Sequence, residues 1–527
     1  MATSESSAPP QDTTNSYVWL AVFLLLTASL SLLWSHVRLM WFDEFLSFYS
    51  DGVSTFHQVV LIQLHHPISL DPPTYHLLSH FCMDVLGRNA TALRLPALAG
   101  FLLFQVCLFF FVRRIAGSRS AIIAVALPLL TASFRYSVEG RPYGLLLGIY
   151  ALSVLCWQIA TLDDGVPRNR ILPLTGLALS IALAITSHYY GILILIPVTL
   201  GELSRTLIRK RLDAGVLTAL ALGLSSIVLI LPFQHALLAY RQHYYSNGVD
   251  LHDITLGYFE LFIHYVAPSV VFAKLVEAIA VVLTLLLGYA GYKRFRHRPA
   301  TEHAYTWVAL TSMALLPFFG YLFGRYVTHT MAVRYVIAAL FPFAAILAIV
   351  LERKLRSNSF YYRTLALLFV AVIAVNALNI AEERRESNAI LARLQLAPEA
   401  SAAVHQSPTE PIFIQDFNYF YLSTYYNPDP TLRQRISLLY SQQQELRWLQ
   451  HDTLYVTAVN LLTFAPLSGT SYADFVHNPK PLVVLRPGGS MSWISNQLEA
   501  SHTEVKPIAP GLGGRLVRLT TQPAPAP

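Results

Sequence analysis

The chain has 527 residues, of which 54% are hydrophobic and 13% charged, and its mean hydropathy is +0.47. Soluble proteins carry about 25% charged residues, so an ordinary soluble fold is excluded and a polytopic membrane protein is indicated. The net charge of +7 is no sign of nucleic acid, because the basic residues cluster between apolar stretches, where membrane orientation and anionic lipid account for them.

Residues 1–16 are polar and lack the basic flank of a cleaved signal, and the apolar run Tyr17 to Leu39 is too long for a signal core. It reads as a retained anchor behind a short cytoplasmic tail. A polar first loop, 40–93, follows. Apolar segments then recur at about 94–112, 120–136, 143–161, 171–187, 189–204 and 214–232, and, after a polar interval, at 267–291, 304–324, 334–351 and 363–381. With the first run these make about eleven transmembrane helices, each near the ~20 residues that cross hydrocarbon. Cys82, Cys107 and Cys156 show neither metal spacing nor a disulfide framework.

Every second loop is basic: Arg113, Arg114 and Arg119; Arg168 and Arg170; Arg205, Arg209, Lys210 and Arg211; Lys293, Arg294, Arg296 and Arg298; Arg353, Lys354, Arg356 and Arg363. The positive-inside rule puts these in the cytoplasm, and so sends the first loop and everything beyond about Glu382 to the other side. The tail, 382–520, carries short β-type runs at Pro411–Ile414, Leu454–Thr457, Leu482–Leu485 and Arg515–Leu519, with a Gln-rich helical stretch, Leu439 to Gln450, between the first two. Strand, helix, strand predicts a small extracytoplasmic α/β domain, ending in a disordered Pro-Ala tail at 521–527.

The residues able to carry chemistry lie in the outward loops. Asp43 and Glu44 follow the first span directly; a carboxylate there can serve as general base toward a hydroxyl, its neighbour orienting it or holding a metal, with a helix cap or interfacial ion pair as the plainer alternative. Glu139-Gly140-Arg141-Pro142-Tyr143 forms a turn whose arginine suits a phosphate, or else a loop salt bridge. His188-Tyr189-Tyr190-Gly191 and Arg334-Tyr335 sit at span ends, where belt and snorkelling roles are the alternatives. His65, His66, His76 and His80 lie in the first loop; His76 and His80 are spaced to share a helix face, as an interfacial amphipathic loop or, less favoured, as metal ligands. Asp43, Glu44, Glu139, Arg141, His188 and Arg334 are all expected at one membrane face, an arrangement that fits transfer from an anionic lipid carrier. A transporter or flippase of a lipid-linked or anionic solute is the rival from another class; inverted repeats and mid-membrane charges, its expected marks, are not found in the sequence.

In chain order these motifs resemble GT-C type, polyprenyl-phosphate-dependent glycosyltransferases. Asp43-Glu44 is similar to the family's acidic first-loop motif, and Pro72-Pro73-Thr74-Tyr75 to its "PPLY" segment, followed by Ala92-Leu93-Arg94-Leu95-Pro96. Glu139–Tyr143 is similar to the "EARPY" turn with Gly140 in place of Ala, His188–Gly191 to "HYFG", and Arg334-Tyr335 with Pro342 to the "RY…P" helix. The family includes aminoarabinose transferases that modify lipid A and protein O-mannosyltransferases. The resemblance implies inverting transfer of a sugar from a polyprenyl-phosphate donor to a hydroxyl acceptor on lipid, glycan or protein, at the periplasmic face of the inner membrane. Asp43 would be the base and Glu44 its assistant or a metal ligand. Glu139, Arg141, Tyr143, His188, Tyr189, Arg334 and Tyr335 would line the donor-phosphate site. Asp71 and the extra histidines match no family pattern, which leaves a divalent metal cofactor open, and neither the sugar nor the acceptor is named by any motif.

Overall fold

A computed structural model describes residues 12–161, 169–241, 248–263, 302–477, 481–486 and 492–521, with Tyr289 and Lys293. The expected span at 267–291 lies almost wholly outside the described residues, as do Arg168, Arg294, Arg296, Arg298 and the expected disordered end from 522 onward. The chain divides into two compact units. One draws on Met1–Trp34, Arg94–Ile230 and Asn247–Asn379, the other on Ser35–Leu93, Leu231–Ser246 and Ile380–Pro527.

The first unit is helical. Among the described residues seven helices are long and apolar enough to cross a membrane, and an eighth if the bent pair Ala304–Ala314 and Leu316–Thr328 is one span. Ala90–Leu130, 41 residues long, contains the second expected span and residues 120–130 of the third, whose remainder falls in the short helix Ala132–Val138; the chain breaks helical geometry inside the long one at Gly117, whose φ of +80° costs glycine nothing. Ile171–Ser187 is a shorter apolar helix of 17 residues. Asn358–Leu394 has only 17% of its apolar window buried in protein, so most of its surface suits lipid.

Close helix contact positions the turn that carries Glu139 and Arg141 in this unit. Gly144 and Gly148 lie one turn apart on the helix Tyr143–Ala160, and a Cβ on Gly148 would stand 2.1 Å from the Gly100 carbonyl oxygen. Small residues spaced in this way let two apolar helices approach backbone to backbone. The turn before that helix is then pinned from the side, Ala132 and Ser133 donating their amides to Phe262 and Leu261 at 3.0 and 3.1 Å. At the end of the unit carrying Arg170, Glu202 accepts from Trp157 (3.0 Å) and from Arg205 (2.9 Å), and Asp213 accepts from Arg170 and Arg205. Of these charges Glu202 and Arg205 are buried, and they are paired, as burial requires.

The second unit combines the first loop with the tail. Its loop part is three helices, here α1 (Phe42–Asp51), α2 (Phe56–His65) and α3 (Pro73–Leu86). Its sheet has strands β1 (Ile412–Ile414), β2 (Ile436–Tyr440), β3 (Ser468–Ser471), β4 (Leu482–Leu485), β5 (Val505–Gly511) and β6 (Gly514–Leu519), in the order β3-β2-β1-β4-β6-β5. The first four are parallel, while β6 runs antiparallel to β4 and to β5. β1 is buried throughout, as a central parallel strand must be. Alternation sends Ile412 and Ile414 into a core with Phe45, Leu46, Met83 and Phe420, and Phe413 into a second core with Val483, Trp493 and Phe475.

The expected strand at Leu454–Thr457 is instead part of the helix Thr453–Leu461. Leu454, Ala458 and Leu461 recur at helical spacing on its buried side, and the Glu445 carboxylate accepts the Tyr455 amide at 2.8 Å, capping the first turn. The stretch read as one helix, Leu439 to Gln450, begins as strand β2 and turns helical only from Gln442, where Ser441 caps it.

Candidate active site

In the second unit Asp43 and Glu44 occupy the first turn of α1, where a helix N-terminus favours acidic side chains. Glu44 is fully buried, and its Oε2 accepts the Trp41 amide at 3.4 Å, the backward half of a capping box. Asp43, next to it, is half-buried. The approach to α1 is fixed by the Met40 amide, which donates to the Tyr426 hydroxyl at 3.0 Å. Phe45 stacks on Tyr421 at 5.2 Å, and Phe42 meets Phe417 at 6.2 Å. The tail helix Phe417–Tyr426 thus holds the helix that bears the acidic pair.

Two of the first-loop histidines, His76 and His80, are used inside this unit. His76 Nδ1 lies 2.7 Å from Asp51 Oδ1, His80 Nδ1 lies 2.8 Å from the Asp51 carbonyl, and Ser79 and Ser50 both donate to the Asp51 carboxylate. The shared face of α3 therefore fastens the end of α1. Among the described residues no group of three or more His, Cys, Asp or Glu side chains converges as metal ligands do. The described residues beside Asp43 accordingly supply no ready ligand set.

In the first unit four of the expected residues meet. Arg334 Nε donates to the Tyr143 hydroxyl at 3.0 Å, and its guanidinium lies 5.4 Å from the Tyr143 ring centre and 5.7 Å from that of Tyr335. The His188 ring stands 4.8 Å from Tyr335 and 5.7 Å from Tyr143. Glu139 and Arg141 are buried in the turn just before Tyr143, closed by the Arg141 amide on the Glu139 carbonyl at 2.7 Å. Tyr143 is the first residue of its helix, with Pro142 as its cap. Burial, above all, raises the Tyr136 phenol; Arg135 and Arg334 pull it down, while Glu139 and Glu260 push it up, so all four charges act at this one ring. Tyr189 is half-buried beside this group.

Three participants were missed in the sequence. Tyr190, and not Tyr189 alone, faces inward: its hydroxyl donates to the Thr330 carbonyl at 2.6 Å, and its ring lies 4.9 Å from Tyr335. Tyr136 and Glu260 fall outside every short motif, and their place follows only from the bonding of Ala132 and Ser133 to Phe262 and Leu261. A turn with two adjacent tyrosines offers no signal for which one points in.

Residues 70–233 match the family model described as dolichyl-phosphate-mannose-protein mannosyltransferase, a stretch that includes the Glu139 and His188 turns. A search of curated proteins gives no match. The structure is similar to that of ArnT from Cupriavidus metallidurans in the apo state (TM-score 0.58, 12% identity, 97% of this chain and 100% of that one). It is similar also to that of the same protein bound to undecaprenyl phosphate (TM-score 0.56, 13% identity, 96% and 99%). The fold is that of the GT-C enzymes, with a small sheet domain in its C-terminal part. Family model and fold together support a membrane glycosyltransferase of GT-C type, the class that the motifs resemble.

Proposed function

We propose that this protein transfers a sugar from a polyprenyl-phosphate donor to a hydroxyl acceptor at the extracytoplasmic face of the plasma membrane, with inversion at the anomeric carbon. Asp43 takes the proton from the acceptor hydroxyl, the acceptor oxygen bonds to the anomeric carbon, and the bond from that carbon to the phosphate oxygen breaks. The electron pair leaves with the polyprenyl phosphate. Inversion in one step needs a single base and no covalent intermediate.

The observation that carries the reading is the cluster of Arg334, Tyr143, His188 and Tyr335. A guanidinium oriented by a phenol and flanked by rings is suited to a phosphate and to the charge that grows on it as the bond breaks. Glu139 and Arg141 belong to the same donor site in this proposal, and Glu44 positions the turn that bears Asp43. The undecaprenyl phosphate bound to the structural relative and the carrier named in the family description support a polyprenyl-phosphate donor. The basic loops support a cytoplasmic N-terminus, with the tail outside.

The test is incubation of the purified chain with labelled polyprenyl-phosphate sugars. Slow loss of donor sugar to water, without added acceptor, is expected. Lipid that moves between leaflets with its sugar intact, and with no cleavage, would establish the transporter reading in its place.

A further inference from the structure

A second feature of the unit that holds Asp43 is a cavity of about 660 Å³, lined by residues of α1, α2 and the tail segment Thr463–Pro466. His65, His66 and Arg88 all line it, and no carboxylate does. Among the described residues no ion pair engages Arg88 and no side-chain hydrogen bond engages either imidazole. Gln58 and Ser54 add an amide and a hydroxyl, and Phe48, Tyr49 and Phe464 add ring faces. Burial pushes the Tyr49 phenol up to about 12, so its ring is a neutral wall.

We infer that this cavity binds an anionic sugar unit, with ring faces against the sugar's C–H surface and the His65, His66 and Arg88 group against its phosphate or carboxylate. The volume lies within the usual range for small-molecule sites, and convergent donors beside apolar walls are their usual lining. Guanidinium and imidazole donors with no acid among them select for negative charge.

The position of the cavity gives the sugar a role. Tyr49 is six residues beyond Asp43 on α1, so along the helix axis the cavity wall stands about 9 Å from the proposed base. A sugar seated there would hold the neighbouring part of an acceptor glycan within reach of Asp43. This assignment rests on the transferase reading; the binding site itself does not.

The test uses the full purified chain in detergent, titrated calorimetrically with glucose 6-phosphate, glucose and inorganic phosphate. Glucose 6-phosphate should bind at least tenfold more tightly than either of the others. Arg88→Ala and His66→Ala should each weaken it fivefold or more, Arg88→Lys should restore part of the loss, and Phe464→Ala should weaken glucose and glucose 6-phosphate alike. Arg88 is exposed, so its replacement leaves the fold intact. No binding, or binding that these variants leave unchanged, overturns the site, and inorganic phosphate binding as tightly as glucose 6-phosphate overturns its glycan character. Saturating glucose 6-phosphate should change the rate of donor loss by twofold or more; an unchanged rate overturns the acceptor assignment. A chain that binds glucose 6-phosphate yet consumes no donor overturns the transferase reading and the acceptor assignment with it.

Discussion

Arg334 and Glu44 were both singled out by position in the sequence, and they are used in different ways. The Arg334 guanidinium is held by one phenol and flanked by two rings, so its removal takes away a charge-assisted contact of about 2 kcal/mol. Arg334→Ala is therefore expected to raise the donor Kd or KM by ten- to thirtyfold. Tyr143→Phe, which deletes only the hydroxyl, should lie between that variant and the wild type. Equal donor affinities in all three proteins, measured with labelled carrier, would remove Arg334 from the donor site. Glu44 looked like a second chemical group, yet its carboxylate reaches back to the Trp41 amide and its side chain is buried. The sequence could show that the pair was acidic and lay at a span end. Which oxygen faces a backbone amide depends on the entry angle of α1, set by Tyr426 from almost four hundred residues away.

At the scale of single elements, short apolar runs proved ambiguous where their partners lie elsewhere. Leu454-Tyr455-Val456-Thr457 has the composition of a strand, but Glu445 caps it as a helix. β2 was overlooked because its five residues merge into the Gln-rich helix that follows, whereas Ile412–Ile414 and Leu482–Leu485, bounded by prolines or charges, were legible. Glu445 gives this element a pH dependence. Burial pushes its carboxyl from 4.5 up to about 8, so between these values the folded chain keeps a proton that the unfolded chain has released. The stability that Glu445 contributes is then greatest below about pH 4.5, falls as the pH rises through 8, and is level beyond. Glu445→Gln should remove this slope: the wild-type tail loses several degrees of melting temperature between about pH 5.5 and pH 8.5 relative to the variant. Parallel melting curves for the two full-length proteins would refute it. In the other unit, Gly148→Leu would drive a side chain into the Gly100 carbonyl, costing about 2 kcal/mol or more, which thermal inactivation in detergent would report.

For the whole molecule, the apolar periodicity made the membrane class legible, and the described spans follow it closely. What it did not reveal is that the first loop and the tail share one core, Phe45 and Met83 packing with Ile412 and Phe420, because nothing local marks residues so far apart as partners. The basic loops also carry a prediction at this scale. In a Cys82→Ser background, Glu504→Cys should react with an impermeant maleimide in intact cells, and Lys210→Cys only after lysis; the reverse pattern would invert the proposed topology.

The most direct test of the central claim, that Asp43 is the base of a sugar transfer, is the rate at which purified Asp43→Asn consumes a labelled polyprenyl-phosphate sugar. Loss of a general base lowers the rate by about 100- to 10,000-fold, while binding of the lipid carrier is retained. Donor consumption by Asp43→Asn at a rate near that of the wild type would contradict it.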